Sequence, residues 1–98
     1  MFETSAIRSS RPVRIGSLTL GAGYPIAVQS MCATRTQDLA ATAKQIRLLS
    51  EHGADLIRIA IDSRNDVEAL ATLRCEVDAN LVVDLQESYR LAEKVAPY

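Results

Sequence analysis

The chain has 98 residues, a formal net charge of −1, and 48 % hydrophobic residues. This balance gives no reason to expect a nucleic-acid partner or an anionic membrane surface. No apolar run approaches the roughly 20 residues that cross a bilayer, and residues 1–10 lack the apolar stretch of a signal peptide. We therefore expect a cytoplasmic protein that forms one domain or part of one.

The N-terminal third of the chain divides into an arm, a hairpin and a strand. Residues 1–11 are polar and have no period, which predicts a loose arm before a domain over residues 12–98. Two short alternating runs flank Gly16 and Ser17, and this pattern predicts a β-hairpin over residues 13–20. After a glycine-rich break, Pro25 opens a strand predicted over residues 26–29.

The first helix is predicted from apolar residues at helical spacing. Thr36 or Asp38 can cap its start, and Gly53 is suited to follow its end, because glycine adopts the left-handed conformation without a Cβ penalty. We expect Gln45 to face water on the polar side of this helix. His52 is the single histidine, and its place in the last turn predicts a surface or capping role.

The remaining elements repeat the same alternation of strand and helix. We predict a strand over residues 56–61, a helix capped by Ser63, Asn65 or Asp66, a strand over residues 81–85, and a third helix from Ser88 or Tyr89. This βαβ alternation predicts an α/β fold with a parallel sheet. Both a doubly wound sheet and a (β/α)₈ barrel fit this alternation. The N-terminal hairpin can cover the bottom end of a barrel, and it therefore favours a partial TIM barrel with about three βα units.

Catalytic and ligand-binding residues of parallel α/β folds lie at the carboxyl ends of strands. That rule nominates Gln29, Ser30, Arg58, Asp62, Asp84 and Gln86. Among them Gln29 is predicted either to contact a ligand or to be a satisfied polar group inside the barrel.

Arg58 is the strongest candidate, because it interrupts a strand that should be buried. Alternation places Ile57, Ile59 and Ile61 toward the helices, so Arg58 points to the barrel interior. A guanidinium there needs a partner, and its fork matches a phosphate or a carboxylate. Two interpretations remain open: an anion-binding arginine, or a structural ion pair with Asp84 of the neighbouring strand.

The two cysteines, Cys32 and Cys75, form no C-x-x-C pattern and no metal-ligand cluster. We expect free thiols, with Cys75 in a packing role. Cys32 follows a strand end, so either packing or a ligand-facing position is open for it. No residue of the chain is assigned a catalytic or metal-ligating role.

Four segments follow one another in a distinctive order: Pro25-Ile-Ala-Val-Gln-Ser-Met31, Thr34-Arg-Thr-Gln-Asp38, Gly53-Ala-Asp-Leu-Ile-Arg58 and Val83-Asp-Leu-Gln-Glu-Ser-Tyr-Arg-Leu-Ala92. From about Arg11 onward, this order resembles the N-terminal part of the 4-hydroxy-3-methylbut-2-en-1-yl diphosphate synthase family. Its members are iron–sulfur oxidoreductases of the non-mevalonate isoprenoid (terpenoid) pathway. The resemblance covers most of this chain but only the front of a typical member.

The resemblance implies an eight-stranded barrel that binds 2-C-methyl-D-erythritol 2,4-cyclodiphosphate. It further implies a C-terminal domain with a [4Fe-4S] cluster, whose ligands are absent from this chain. Ferredoxin or flavodoxin would supply two electrons that open the ring, and in homodimers the cluster domain of one subunit would cap the barrel of the other. This chain is then expected to be an N-terminal fragment that contributes diphosphate binding and is inactive alone.

The resemblance also assigns site residues. Arg58 matches a diphosphate-binding arginine, and Asp84 matches the aspartate of the third-strand motif. Gln86 stands where the family usually has a substrate-binding histidine, and Glu87 stands in place of an aromatic residue. Gln86 can donate a hydrogen bond to a phosphate oxygen but cannot shuttle a proton near neutral pH. The predicted substrate-binding residues are therefore Arg58, Asp84, Gln29 and Gln86.

Two alternatives remain open. The chain could be a complete non-catalytic α/β module or partner subunit, which predicts an oligomer because the third strand leaves an open edge. It could also belong to another barrel enzyme such as a pterin-binding synthase, although the first strand end lacks the asparagine-containing motif of that family.

Overall fold

The computed structural model describes residues 8–98 and contains a hairpin followed by a parallel sheet with helices. The strands are β1 (Val13–Ile15), β2 (Leu18–Leu20), β3 (Gln29–Met31), β4 (Leu56–Ala60) and β5 (Leu81–Asp84), and the helices are α1 (Leu39–Glu51), α2 (Arg64–Glu76) and α3 (Ala92–Val95). The parallel sheet has the order β3-β4-β5. The predicted α/β class, with a hairpin before parallel βα units, is confirmed, and the described strands do not close into a barrel.

The hairpin lies against the amino-terminal end of the parallel sheet. Ile15 pairs with Leu18, so Gly16 and Ser17 form the predicted two-residue turn, and Gly16 adopts a φ of +57°. The Ser17 N–H donates to Asn80 Oδ1 at 3.2 Å, and Asn80 Nδ2 donates to Ser17 Oγ at 3.1 Å. Because Asn80 directly precedes β5, these bonds place the turn at the end of the sheet where β4 and β5 begin.

Strand β3 begins later than the sequence predicts. The predicted strand over residues 26–29 is wrong in position, since β3 covers Gln29–Met31 and the Ile26 side chain is 93 % exposed. The ladder to β4 begins only where the Val28 carbonyl accepts from the Leu56 N–H at 3.1 Å. Pairing with β4 therefore decides where this edge strand starts, and within the described residues the paired register with β4 includes no residue before Gln29.

Both long helices begin at predicted caps. The Asp38 carboxylate accepts from the Ala41 N–H at 3.3 Å, and the Ser63 hydroxyl accepts from the Asp66 N–H at 3.2 Å. Such side chains satisfy backbone donors that the first helical turn leaves free. Thr36, the other predicted cap of α1, instead donates its hydroxyl to the Ala60 carbonyl at 2.6 Å.

The end of α1 also confirms its prediction. His52 is the exposed residue after the helix, and its ring Nδ1 lies 2.8 Å from the Leu48 carbonyl oxygen. Gly53 follows with a φ of +98°, a conformation that costs glycine little.

The core lies between one face of the sheet and helices α1 and α2. Ile57, Ile59 and Ile61 are exposed by 1 %, 0 % and 0 %, and they pack with Ile46 of α1 and Leu73 of α2. Full burial of each such side chain contributes about 1.5–3 kcal/mol of hydrophobic free energy. The predicted alternation along β4 is confirmed, because the isoleucines face the helices.

The C-terminal helix is shorter than predicted. Residues 89–91 form a single 3₁₀ turn, and α3 follows with four residues. Ser88 makes no side-chain cap; its hydroxyl donates to the Asp62 carbonyl at 3.1 Å. The serine thus connects the loop after β5 to the loop after β4 and does not start a long helix.

Candidate functional site

The candidate site lies on the face of the sheet opposite the isoleucine core. In the parallel register Arg58 is opposite Met31 on one side and Val82 on the other, while Ala60 is opposite Asp84. Paired residues of neighbouring strands point to the same side. Arg58 and Asp84 therefore share the face that would become a barrel interior, near the carboxyl ends of β4 and β5.

Arg58 and Asp84 form an ion pair. Arg58 Nη2 donates to Asp84 Oδ2 at 2.6 Å, and the two side chains are 41 % and 20 % exposed. Within residues 8–98 this is the one hydrogen bond that the guanidinium makes, so its other N–H donors face solvent. The pairing interpretation from the sequence is thus observed, and the geometry leaves Arg58 with free donors that an anion can accept from.

The second oxygen of Asp84 is held by the backbone. The Gln86 N–H donates to Asp84 Oδ1 at 2.9 Å. That hydrogen bond and the Arg58 guanidinium hold the pKa of the Asp84 carboxyl below its usual range. Gln86 itself has a φ of +53°, an uncommon conformation for a residue with a side chain. The loop after β5 therefore starts with a turn that is fixed to the ion pair.

The structure does not bring all predicted site residues together. Gln29 is exposed and is the first residue of β3, opposite Leu56, so its predicted place at the carboxyl end of the strand is wrong. Met31 occupies the position beside Arg58 instead. Gln86 is exposed two residues beyond Asp84 and contacts the pair through its backbone N–H.

An open cleft of ≈ 480 Å³ lies between the loops that follow β4 and β5. Asp62, Arg64, Glu87 and Tyr89 are among its lining residues, whereas Arg58 and Asp84 are not. Glu87, which by the resemblance stands in place of an aromatic residue, thus lines this cleft, apart from the ion pair.

A polar cluster that the sequence suggested only as a helix cap connects the loops after β3 and β4. Asp66 is 7 % exposed, and its carboxylate accepts from the Gln37 amide at 3.0 Å and from the Asp62 N–H at 3.1 Å. Burial acts to raise the pKa of Asp66, but these hydrogen bonds outweigh it and leave the pKa below its ordinary value. The neighbouring Asp66 side chain raises the pKa of the exposed Asp62 carboxyl.

Gln45 also differs from its prediction. Its side-chain oxygen accepts from the Ala33 N–H at 2.7 Å and from the Thr34 N–H at 3.3 Å, so it does not simply face water. The Thr34 and Thr42 hydroxyls lie 2.8 Å apart. Helix α1 therefore orders the loop after β3 through two polar side chains. The helical spacing alone does not predict these hydrogen bonds, because a glutamine on the polar face of a helix has the same sequence pattern whether it contacts water or a backbone N–H.

The described cysteines do not fit an iron–sulfur cluster. Cys32 is buried in the core and Cys75 is exposed, so the predicted packing role of Cys75 is wrong, and both are free thiols. Burial raises the pKa of the Cys32 thiol, which disfavours the thiolate that a metal requires. Residues 8–98 contain no group of three or more histidine, cysteine, aspartate or glutamate side chains that could hold a metal. The same part of the chain contains no helix long and apolar enough to cross a membrane.

Comparisons with known proteins place this chain in a family. The model of the GcpE TIM-barrel domain matches residues 10–98. The chain is 60 % identical to a protein of Rhodopirellula baltica, with 91 % of this chain and 23 % of that protein covered. It is 43 % identical to proteins of Shewanella frigidimarina and an Enterobacter species, with 100 % and 93 % of this chain covered.

These three relatives all carry the name 4-hydroxy-3-methylbut-2-en-1-yl diphosphate synthase (flavodoxin), and the chain spans about a quarter of their length, between 23 % and 27 %. The match of the domain model extends over nearly the whole sequence. The chain therefore belongs to the GcpE TIM-barrel domain family.

Proposed function

We propose that this chain supplies the diphosphate-binding side of the barrel in a 4-hydroxy-3-methylbut-2-en-1-yl diphosphate synthase, as the N-terminal part of that enzyme. The observation that carries the proposal is Arg58, a guanidinium that is 41 % exposed on the barrel face and has only one hydrogen bond within residues 8–98. The names of the relatives support the ligand class, since their product is a diphosphate.

The chemistry of Arg58 suits that ligand. A guanidinium presents a planar fork of N–H donors that can contact two phosphate oxygens at once. Asp84 occupies Nη2 and leaves the remaining donors open. Beside the pair, the small residue Ala60 is opposite Asp84. The Gln86 side-chain amide can donate a further hydrogen bond to the diphosphate. Gln29 would contact the ligand only if the ligand extends toward the amino end of β3.

The complete reaction is part of the same proposal. We assign the substrate as 2-C-methyl-D-erythritol 2,4-cyclodiphosphate and the electron donor as flavodoxin, or ferredoxin in its place, in a cytoplasmic homodimer. A [4Fe-4S] cluster would supply the electrons for reductive ring opening, and the described residues of this chain do not hold it. This chain alone is expected to bind diphosphate but not to turn over substrate.

Titration with inorganic pyrophosphate tests the proposal directly. We expect the 98-residue chain to bind pyrophosphate. We expect Arg58→Ala to raise the dissociation constant at least about tenfold, or ~1.4 kcal/mol in binding free energy. Arg11→Ala removes the same charge from an exposed position before the hairpin and serves as the matched control. Equal weakening in both variants would show nonspecific charge attraction and refute a site at Arg58.

A second experiment tests the predicted inactivity. The purified chain is reconstituted anaerobically with iron and sulfide, and its bound iron and its turnover with reduced flavodoxin are measured. We expect neither stoichiometric iron nor product. Iron bound at four atoms per chain, with turnover, would refute the assignment of the cluster and of catalysis to residues outside this chain.

A further inference from the structure

Asp84 already has both carboxylate oxygens engaged by its own chain. Oδ2 accepts from Arg58 Nη2 at 2.6 Å, and Oδ1 accepts from the Gln86 N–H at 2.9 Å. A carboxylate in direct contact with a diphosphate would also repel it, because both are anionic. We infer that Asp84 is a positioning residue: it fixes the Arg58 guanidinium and the turn at Gln86 as one unit, and does not itself contact the ligand.

The register of the strands explains how Asp84 sets the arginine. Arg58 is opposite Val82, while Asp84 is opposite Ala60, so the ion pair runs diagonally across two strands. Because Asp84 is two residues beyond the residue opposite Arg58, the pair needs a long side chain such as arginine to span the two strands. The pair therefore draws the guanidinium along β4 toward the carboxyl edge of the sheet, where ligands of parallel α/β folds bind.

The same carboxylate sets the start of the following loop. Gln86 has a φ of +53°, in a region that residues with a Cβ populate sparsely, and its N–H points to Asp84 Oδ1. The Ser88 N–H then donates to the Leu85 carbonyl at 2.8 Å and closes the turn. The direction in which this loop leaves the sheet thus depends on the aspartate that also holds Arg58.

This inference rests on the proposed function for its ligand class, and Asp84→Asn tests it by the sign of the effect. Asparagine replaces one of the two carboxylate oxygens with an NH₂ donor, so one of the two N–H groups that now meet Oδ1 and Oδ2 would face a donor instead of an acceptor. We expect pyrophosphate to bind about tenfold more weakly to Asp84→Asn. If Asp84 only neutralised Arg58, loss of its negative charge would instead strengthen binding, and that result would overturn the inference.

Two further variants separate charge from position. Asp84→Glu keeps the charge but moves the oxygens by one methylene, so we expect it to weaken pyrophosphate binding as well; wild-type affinity would count against positioning. Asp78→Asn is the matched control, because Asp78 is an exposed aspartate shortly before the opposite end of β5. We expect wild-type affinity from it, and a loss equal to that of Asp84→Asn would indicate a general charge effect and contradict the inference.

A measurement without ligand keeps this inference separate from the proposed function. The resonances of the Arg58 Nη–H groups, which include the Nη2 group bonded to Asp84, are recorded by ¹⁵N NMR in the free chain, with amide dispersion as the check of folding. We expect a distinct, slowly exchanging signal in the wild type that moves to the position of exposed arginines in both Asp84 variants. An unchanged signal would overturn the positioning role. If wild type shows the signal but binds no pyrophosphate, the proposed function fails while the positioning role stands.

Discussion

Removal of the Asn80 amide is expected to release the β1–β2 hairpin from the sheet. The side chain makes three hydrogen bonds with Ser17, at 3.1, 3.2 and 3.5 Å, and one to the Asp55 carbonyl at 3.4 Å. Neutral hydrogen bonds contribute about 0.5–1.5 kcal/mol each, and these are partly exposed. We therefore expect Asn80→Ala to lower the free energy of hairpin opening by about 1–2 kcal/mol, which corresponds to about 5–30-fold.

Native-state hydrogen exchange measures that change locally. Protection of the β1 and β2 amides should fall by this factor, while the amides of β4, which lie in the core sheet, should change less. Asn65→Ala is the control, because Asn65 is an exposed asparagine in the first turn of α2 without a side-chain hydrogen bond within residues 8–98. Hairpin protection that is equal in the two variants would refute the claim that Asn80 holds the hairpin.

A second route to the same opening leaves Asn80 intact. A Cβ at Gly16 would overlap the Asn80 amide oxygen, and the φ of +57° disfavours any residue with a side chain. Gly16→Ala should therefore reduce protection of the hairpin in the same pattern. If it destabilised the sheet and hairpin equally, the turn would be part of the cooperative core and not a separable unit.

Three further predictions concern stability and are measured by urea unfolding. The folded-state pKa of Asp66 lies below the ordinary 3.8, so the ionised carboxylate stabilises the fold above that pH, and this contribution disappears as pH falls through the folded pKa. Asp66→Asn should have a lower free energy of unfolding at neutral pH, and that free energy should fall less steeply in acid than in the wild type. Ser63→Ala should cost about 1 kcal/mol, because an N-cap is lost, and a variant as stable as wild type would contradict the cap. Ile59→Val should cost about 0.5–1.5 kcal/mol at a side chain with 0 % exposure, and a cost near zero would contradict tight packing there.

Local patterns were sufficient to predict the elements that burial and capping define. The alternation of Ile57, Ile59 and Ile61 identified the covered face of β4 and placed Arg58 on the other face. Asp38 and Ser63 are each among the candidate caps that the sequence offers, because short polar side chains before an apolar period can accept from free backbone N–H groups. The pairing of Arg58 with Asp84 is one of the two interpretations that the sequence leaves open, since both residues face one way at neighbouring strand ends.

Features that depend on distant partners could not be predicted from local pattern. The segment before Gln29 is apolar enough for a strand, but only contact with β4 determines where pairing begins. Asn80 and Ser17 are 63 residues apart, and no spacing rule connects a turn to a residue before a strand so far away. The positive φ of Gln86 escaped prediction because glutamine carries no preference for it; the bond to Asp84 accounts for it.

The order β3-β4-β5 also limits how copies of this sheet could associate. Within residues 8–98, the outer edges of β3 and β5 carry backbone groups without a strand partner. A twofold axis perpendicular to the strands reverses their direction, so two copies joined at β5 about such an axis would form an antiparallel seam inside a parallel sheet. A parallel seam requires β5 of one copy to pair with β3 of the next copy. When that contact is repeated from copy to copy, the assembly does not have to close into a ring. Symmetric pairing thus ends at two chains, whereas parallel pairing of this sheet tends toward rings or fibres.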